Sequence, residues 1–169
     1  MIEQIFVSHS AKKLEQLSGR IVTCLGKLTP QQVWLRGGEH ENAVGNLVLH
    51  LCGNVRQYIG MAVAGKPDVR HRDGEFAARQ GEGPAELSAR LNGEVGEALG
   101  TIRSLGAADL LRVTHVQGYE ITVMEAVAHV VEHFAQHTGQ IILLTKHATG
   151  EDLGFYAHLG RPEHKETTP

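Results

Sequence analysis

The sequence predicts an all-α fold, an antiparallel four-helix bundle with a long crossover loop and a short ribbon before the last helix. Three observations carry that expectation. Four long segments repeat apolar residues at steps of three and four, the pattern of helices that bury one face. Only one short stretch shows the alternation of a strand pair. Gly-, Pro- and cap-rich breaks separate the segments. With almost no sheet to pack on, the helices must bury their faces against one another. At 169 residues, one domain spanning 1–169 is expected, with a frayed end from about residue 160.

In the first helix, expected from near Glu3 to Lys27, Leu14, Leu17, Ile21, Leu25 and Leu28 form one stripe. Thr29-Pro30-Gln31-Gln32 follows as N-cap, helix-opening proline and capping-box glutamine, so a short helical turn should carry Val33-Trp34-Leu35, ended by Gly37-Gly38. Asn42 is the expected cap of a second long helix, whose apolar residues Val44, Leu47, Val48, Leu51, Val55, Tyr58, Ile59 and Ala62 fall within about 120° of arc. From Gly65 to Pro84 the chain turns polar and Gly-rich, a connection long enough to be a crossover or a functional loop. The third helix starts near Pro84 and carries Leu87, Leu91, Val95, Ala98, Leu99 and Ile102. Gly93, Gly96 and Gly100 leave room for a close neighbour, and a homodimer is one way to fill it. Val113–Val116 and Tyr119–Ile121, joined by Gln117-Gly118, should pair as a ribbon. Thr122-Val123-Met124-Glu125 opens the last helix as a capping box, and Gly150 stops it. Beyond it, Leu153, Phe155, Tyr156 and Leu159 should pack back on the helices.

Composition excludes several classes of function. Hydrophobic residues at 41% and charged residues at 21% are globular values. Net charge is −3 with no basic cluster, which argues against nucleic acid as a partner. The longest aliphatic run, Ile141–Leu144, is far short of a membrane span. Glu3 stands where a signal peptide would carry a cation, so a soluble cytoplasmic protein is expected. Cys24 and Cys52 lie in helical patterns without metal or redox spacing and read as reduced, buried thiols. A core of this size needs no staple, so a bound metal would be there for chemistry.

Histidine is the anomaly, with 11 in the chain. The last helix reads His129-Val-Val-Glu-His133-Phe-Ala-Gln-His137-Thr-Gly-Gln140, three imidazoles at steps of four along one edge. Chance placement gives about 0.7 pairs of that spacing but only about 0.04 triples. With Val123 at 0°, the apolar stripe lies between about −20° and +40°, His137 near −40°, His133 near −80° and His129 near −120°. His133 and His137 therefore border the core, and His129 ranks below them as a ligand. The same construction puts His50 and Asn54 on the flank of the second helix, so His50 could face the last helix across a groove. Three neutral imidazoles with open positions suit a catalytic divalent ion. Any one of these histidines alone is more commonly a boundary residue satisfied by the core. His9, His40, His71, His147, His158 and His164 read as surface or tail residues, and His115 as part of the ribbon.

Asn46-Leu-Val-Leu-His50-Leu-Cys-Gly-Asn54, the connection from Gly65-Lys66-Pro67 to Arg72-Asp73-Gly74-Glu75-Phe76, and His133-Phe-Ala-Gln-His137-Thr-Gly-Gln140-Ile together resemble the DinB-like (damage-inducible, YfiT-like) four-helix bundles. That resemblance implies a divalent ion on His50, His133 and His137; zinc or nickel is the expected ion, and His129, Asn54 and Gln140 are expected around it. Where the family often has an Arg before the Gly-Gln pair and a further His before the last ligand, this chain has Thr138 and Gln136. The resemblance implies a site and no single reaction: family members include transferases and isomerases that use low-molecular-weight thiols, as well as metal-dependent hydrolases. The expected partner is a small-molecule substrate, a low-molecular-weight thiol among the options. A non-catalytic metal-binding or structural bundle is the alternative.

Overall fold

Helix caps set the frame of the computed structural model, which describes residues 1–160. α1 runs over Ile2–Leu25 and is followed by α2, Pro30–Val33, opened by the Thr29/Gln32 capping box. α3 spans Val44–Val55 and continues as a π-helix over Arg56–Val63. α4 covers Arg72–Ala77, α5 Pro84–Arg103 and α6 Ala107–Leu111. β1, Val113–Val116, pairs antiparallel with β2, Tyr119–Thr122, in the register Val113↔Thr122 to Val116↔Tyr119. Gln117 and Gly118 both take positive φ, as a tight hairpin turn requires. α7 runs from Val123 to Thr149, opened by the Thr122/Glu125 box and closed by Gly150 in the left-handed region. A 3-10 turn follows at Ala157–Gly160.

The molecule is mostly helical, as the periodicities predict. α1 packs along α5 and α7, and α3 packs against α4, α5 and α7. The core between them is aliphatic, with Leu14, Ile21, Leu51, Leu91, Ile102, Phe134 and Ile141 closed to solvent. Among the described residues no helix is long and apolar enough to cross a membrane. Both cysteines are buried and unpaired. Burial raises the Cys24 thiol above its ordinary range and pushes Cys52 up to about 12, so neither is a thiolate at neutral pH.

Three expectations need correction. Asn42 does not cap α3: the N-cap is Ala43, whose N–H is accepted by the Asn46 side chain from within the first turn. The second amphipathic segment is not one α-helix, because a pattern over eight residues cannot separate i→i+4 from i→i+5 bonding. Within the Gly65–Pro84 connection, α4 folds against α3. Of the tail cluster, Leu153 and Phe155 pack on the core, while Tyr156 and Leu159 stay 62% and 67% exposed. An added Cβ at Gly93, Gly96 or Gly100 would meet nothing within 4 Å, so no neighbour among the described residues uses that face. His9, His40, His71, His115 and His147 are exposed and His158 is half-buried. His164 and the expected fraying beyond residue 160 lie outside the described residues.

Candidate metal centre

α3 and α7 cross where each turns a histidine edge inward. α3 is apolar enough to be buried along almost its whole length, which carries polar His50 inside at 6% exposure. α7 presents His133 and His137 one turn apart at the edge of its buried stripe, where both are half-buried. The Nε2 atoms of His50 and His133 are 3.0 Å apart, and those of His133 and His137 are 3.1 Å apart. The ring planes are steeply inclined to one another, at 74° for His50–His133, 88° for His50–His137 and 89° for His133–His137. One ligand atom from each residue lies within 4.8 Å of the other two, close enough to share a metal ion.

Hydrogen bonds on the far side of two rings fix where the protons go. His50 Nδ1 is 3.0 Å from Glu75 Oε2. An ionised carboxylate can only accept, so the proton sits on Nδ1 and leaves Nε2 with a bare lone pair. His137 Nδ1 is 2.6 Å from the side-chain oxygen of Gln140, which has the same consequence. His133 Nε2 thus faces two bare nitrogens and has at most one proton to share, while its own buried Nδ1 has no hydrogen-bond partner. Left to themselves, the three rings leave lone pairs turned on one another. A cation between them answers all three. Nitrogens each about 2.0–2.1 Å from one zinc ion are roughly 3–3.4 Å apart, so the spacing fits such an ion. Two of the imidazoles are also held in the right charge state: burial first, then the neighbouring His137 and His50, lowers His133 to about 3, and burial, with His50 adding to it, lowers His137. Neutral imidazole is the ligating form.

The remaining expected residues surround this cluster without joining it. His129 stacks on Tyr58 with centroids 4.1 Å apart, and its Nε2 lies 3.4 Å from Asn54 Nδ2. It is half-buried rather than turned to solvent, and burial lowers its pKa. Asn54 is 3% exposed with an unpartnered Oδ1. Thr138 is buried with its hydroxyl unpartnered, so it stands in the core and not at the cluster.

Three participants escape the sequence reading: Glu75, Arg70 and Asn46. Glu75 and Arg70 belong to the polar connection, where charged residues ordinarily face water. Glu75 is nevertheless 8% exposed, with the Arg70 guanidinium gripping both its oxygens at 2.9 Å. Burial opposes ionisation of Glu75, but the hydrogen bonds from Arg70 and His50 outweigh it and hold the carboxyl below its usual range. Asn46 docks the segment by donating to the carbonyls of Glu75 and Ala78 at 2.8 and 2.9 Å, and Arg36 bonds the carbonyls of Phe76 and Ala78. Phe76 then lies 4.6 Å from the His50 ring. The available signals were the family-like runs Asn46–Asn54 and Arg72–Phe76 themselves, which gave these residues no role until they were folded.

Comparison with known proteins adds a family and no activity. Residues 2–158 match a family described as "Protein of unknown function (DUF1572)", and the chain belongs to that family. No curated protein matches the chain.

Proposed function

We propose that this DUF1572 member is a single-domain, cytoplasmic four-helix bundle akin to the DinB-like proteins. It holds one divalent ion, zinc or nickel, on His50, His133 and His137 and works on a small molecule at the open positions. The observation that carries this reading is the convergence of three Nε2 atoms at 3.0 and 3.1 Å from two helices, with two of the rings pinned by hydrogen bonds on their other nitrogens. Bound there, such an ion supplies Lewis acidity toward a carbonyl, or holds a thiol as thiolate. The chain's own part is electrostatic and steric. Three neutral imidazoles leave the ion its full positive charge and leave coordination positions free, as catalytic sites do and closed structural sites do not. His50 and Phe76 wall one side, while half-buried His133 and His137 keep the other open to a solute. The chemistry is thiol-dependent S-transfer or hydrolysis.

A second reading, a non-catalytic bundle stapled by the ion, draws support from the way the cluster ties α3 to α7 and, through Glu75, to the 65–83 connection. The two readings separate in one experiment. Metal-stripped and zinc- or nickel-loaded protein are offered low-molecular-weight thiols with electrophilic acceptors, then esters and amides. Turnover confined to loaded protein supports the enzyme. A large rise in melting temperature on loading, with no turnover across the panel, supports the staple.

A further inference from the structure

We infer that Glu75, clamped by Arg70, is a positioning residue that locks His50 as the Nδ1–H tautomer and so sets the affinity of the site for a divalent ion. The inference rests on the metal reading above and deepens it.

The geometry leaves Glu75 no other task. Its carboxylate is buried on a short helix that supplies little core, and burying a charge is unfavourable unless that charge is paired. Pairing is complete. Oε1 accepts from Arg70 Nε at 2.9 Å, while Oε2 accepts from Arg70 Nη2 at 2.9 Å and from His50 Nδ1 at 3.0 Å. Arg70 Nη1 is held in turn by Gln57 Oε1 at 3.0 Å, so the guanidinium cannot swing away cheaply. Nη2 also lies 3.1 Å from His50 Nδ1; with Nδ1 protonated, the two N–H groups converge on the shared oxygen instead of bonding each other. Were His50 the other tautomer, Nδ1 could accept from Arg70 Nη2 at 3.1 Å, but its lone pair would also face the carboxylate oxygen at 3.0 Å and Oε2 would lose a donor. The carboxylate therefore selects the tautomer whose lone pair points at His133.

A glycine on α3 makes the arrangement possible. A Cβ at Gly53 would lie 1.9 Å from Glu75 Oε1, 2.8 Å from its Cδ and 3.0 Å from Arg70 Nε. The face of α3 one turn from His50 is thus hollowed to the shape of the carboxylate–guanidinium pair. Carboxylates behind metal-bound imidazoles orient the ring and raise its basicity, and losing such a partner commonly weakens binding about 10–100-fold.

The test uses zinc as probe on the full chain. Affinity is read by competition with a chelator, and the His50 ring nitrogens are read by nitrogen-15 NMR of metal-free protein. Glu75→Gln should weaken zinc binding about 10–100-fold and let the His50 ring populate the Nε2–H tautomer. Arg70→Met/Glu75→Gln removes both charges together, so it gives the same readout if Arg70 beside a neutral amide destabilises the segment. Unchanged affinity with an unchanged tautomer in both variants overturns the inference while leaving the metal site standing. Failure of the wild type to bind zinc overturns the metal reading and the affinity claim with it. The NMR of zinc-free protein then decides whether Glu75 positions His50 at all.

Discussion

The two sides of the histidine cluster are built differently. On the α3 side, His50 sits at 6% exposure behind a carboxylate that is itself held by a guanidinium, a charge-assisted chain with every partner made. On the α7 side, His137 leans on an exposed glutamine and His133 has nothing behind its Nδ1. One ring has its outer nitrogen held by a buried charge pair, and the other two have an exposed partner or none. On the metal reading, a bound ion would have one firmly oriented donor and two with fewer fixed partners.

The comparison can be broken from its buried end first. His50→Ala removes the anchor and should cost divalent-ion affinity more than the roughly 100-fold that losing a ring's outer partner can cost. Retention of wild-type affinity in a zinc titration would make the α3 side irrelevant. Gly53→Ala touches no histidine, yet it drives a methyl into the Glu75 carboxylate. Zinc affinity should fall by about 10-fold or more, with helical circular dichroism unchanged.

Acid sharpens the contrast next. His133 and His137 have lowered pKa values in the folded protein, chiefly through burial, so acid favours the unfolded chain, where these imidazoles protonate near 6.5. Their stabilising contribution is full above that value and is lost as pH falls from 6.5 toward the folded value, about 3 for His133. Metal-free protein should accordingly show a urea midpoint that declines as pH falls below 6.5, and the decline should be shallower in His133→Gln. Equal declines would remove His133 from the account. The smallest effect belongs to Gln140→Leu. Gln140 is itself exposed, so water replaces the lost acceptor and zinc affinity should fall no more than a few-fold.

The same asymmetry explains what could be read from the chain. Helices announce themselves through period, and two of the donors lie four residues apart on one helix, so His133 and His137 were visible as a pair bordering the core. His50 required a second helix with its own angular construction, and that construction held. The rest was hidden for a physical reason. Nothing local distinguishes Glu75 and Arg70 from solvated charges in a polar connection; their burial is created by Asn46 and Arg36 pulling that segment onto α3, a contact between distant parts of the sequence. Asn42 looked like a cap because cap residues are recognised by type. The backbone instead used Asn46, four residues on, for both the cap and the loop. The π-helical turn after Val55 carries the same apolar spacing as an α-helix and so left no mark in the pattern.

The central claim is that imidazoles from α3 and α7 jointly hold one ion. Elemental analysis of protein purified without a histidine tag, run beside His133→Ala, tests it most directly. The account predicts close to one divalent transition-metal ion per wild-type chain and almost none in the variant. Equal metal in both proteins, or none in the wild type after growth in zinc- and nickel-supplemented medium, would contradict it.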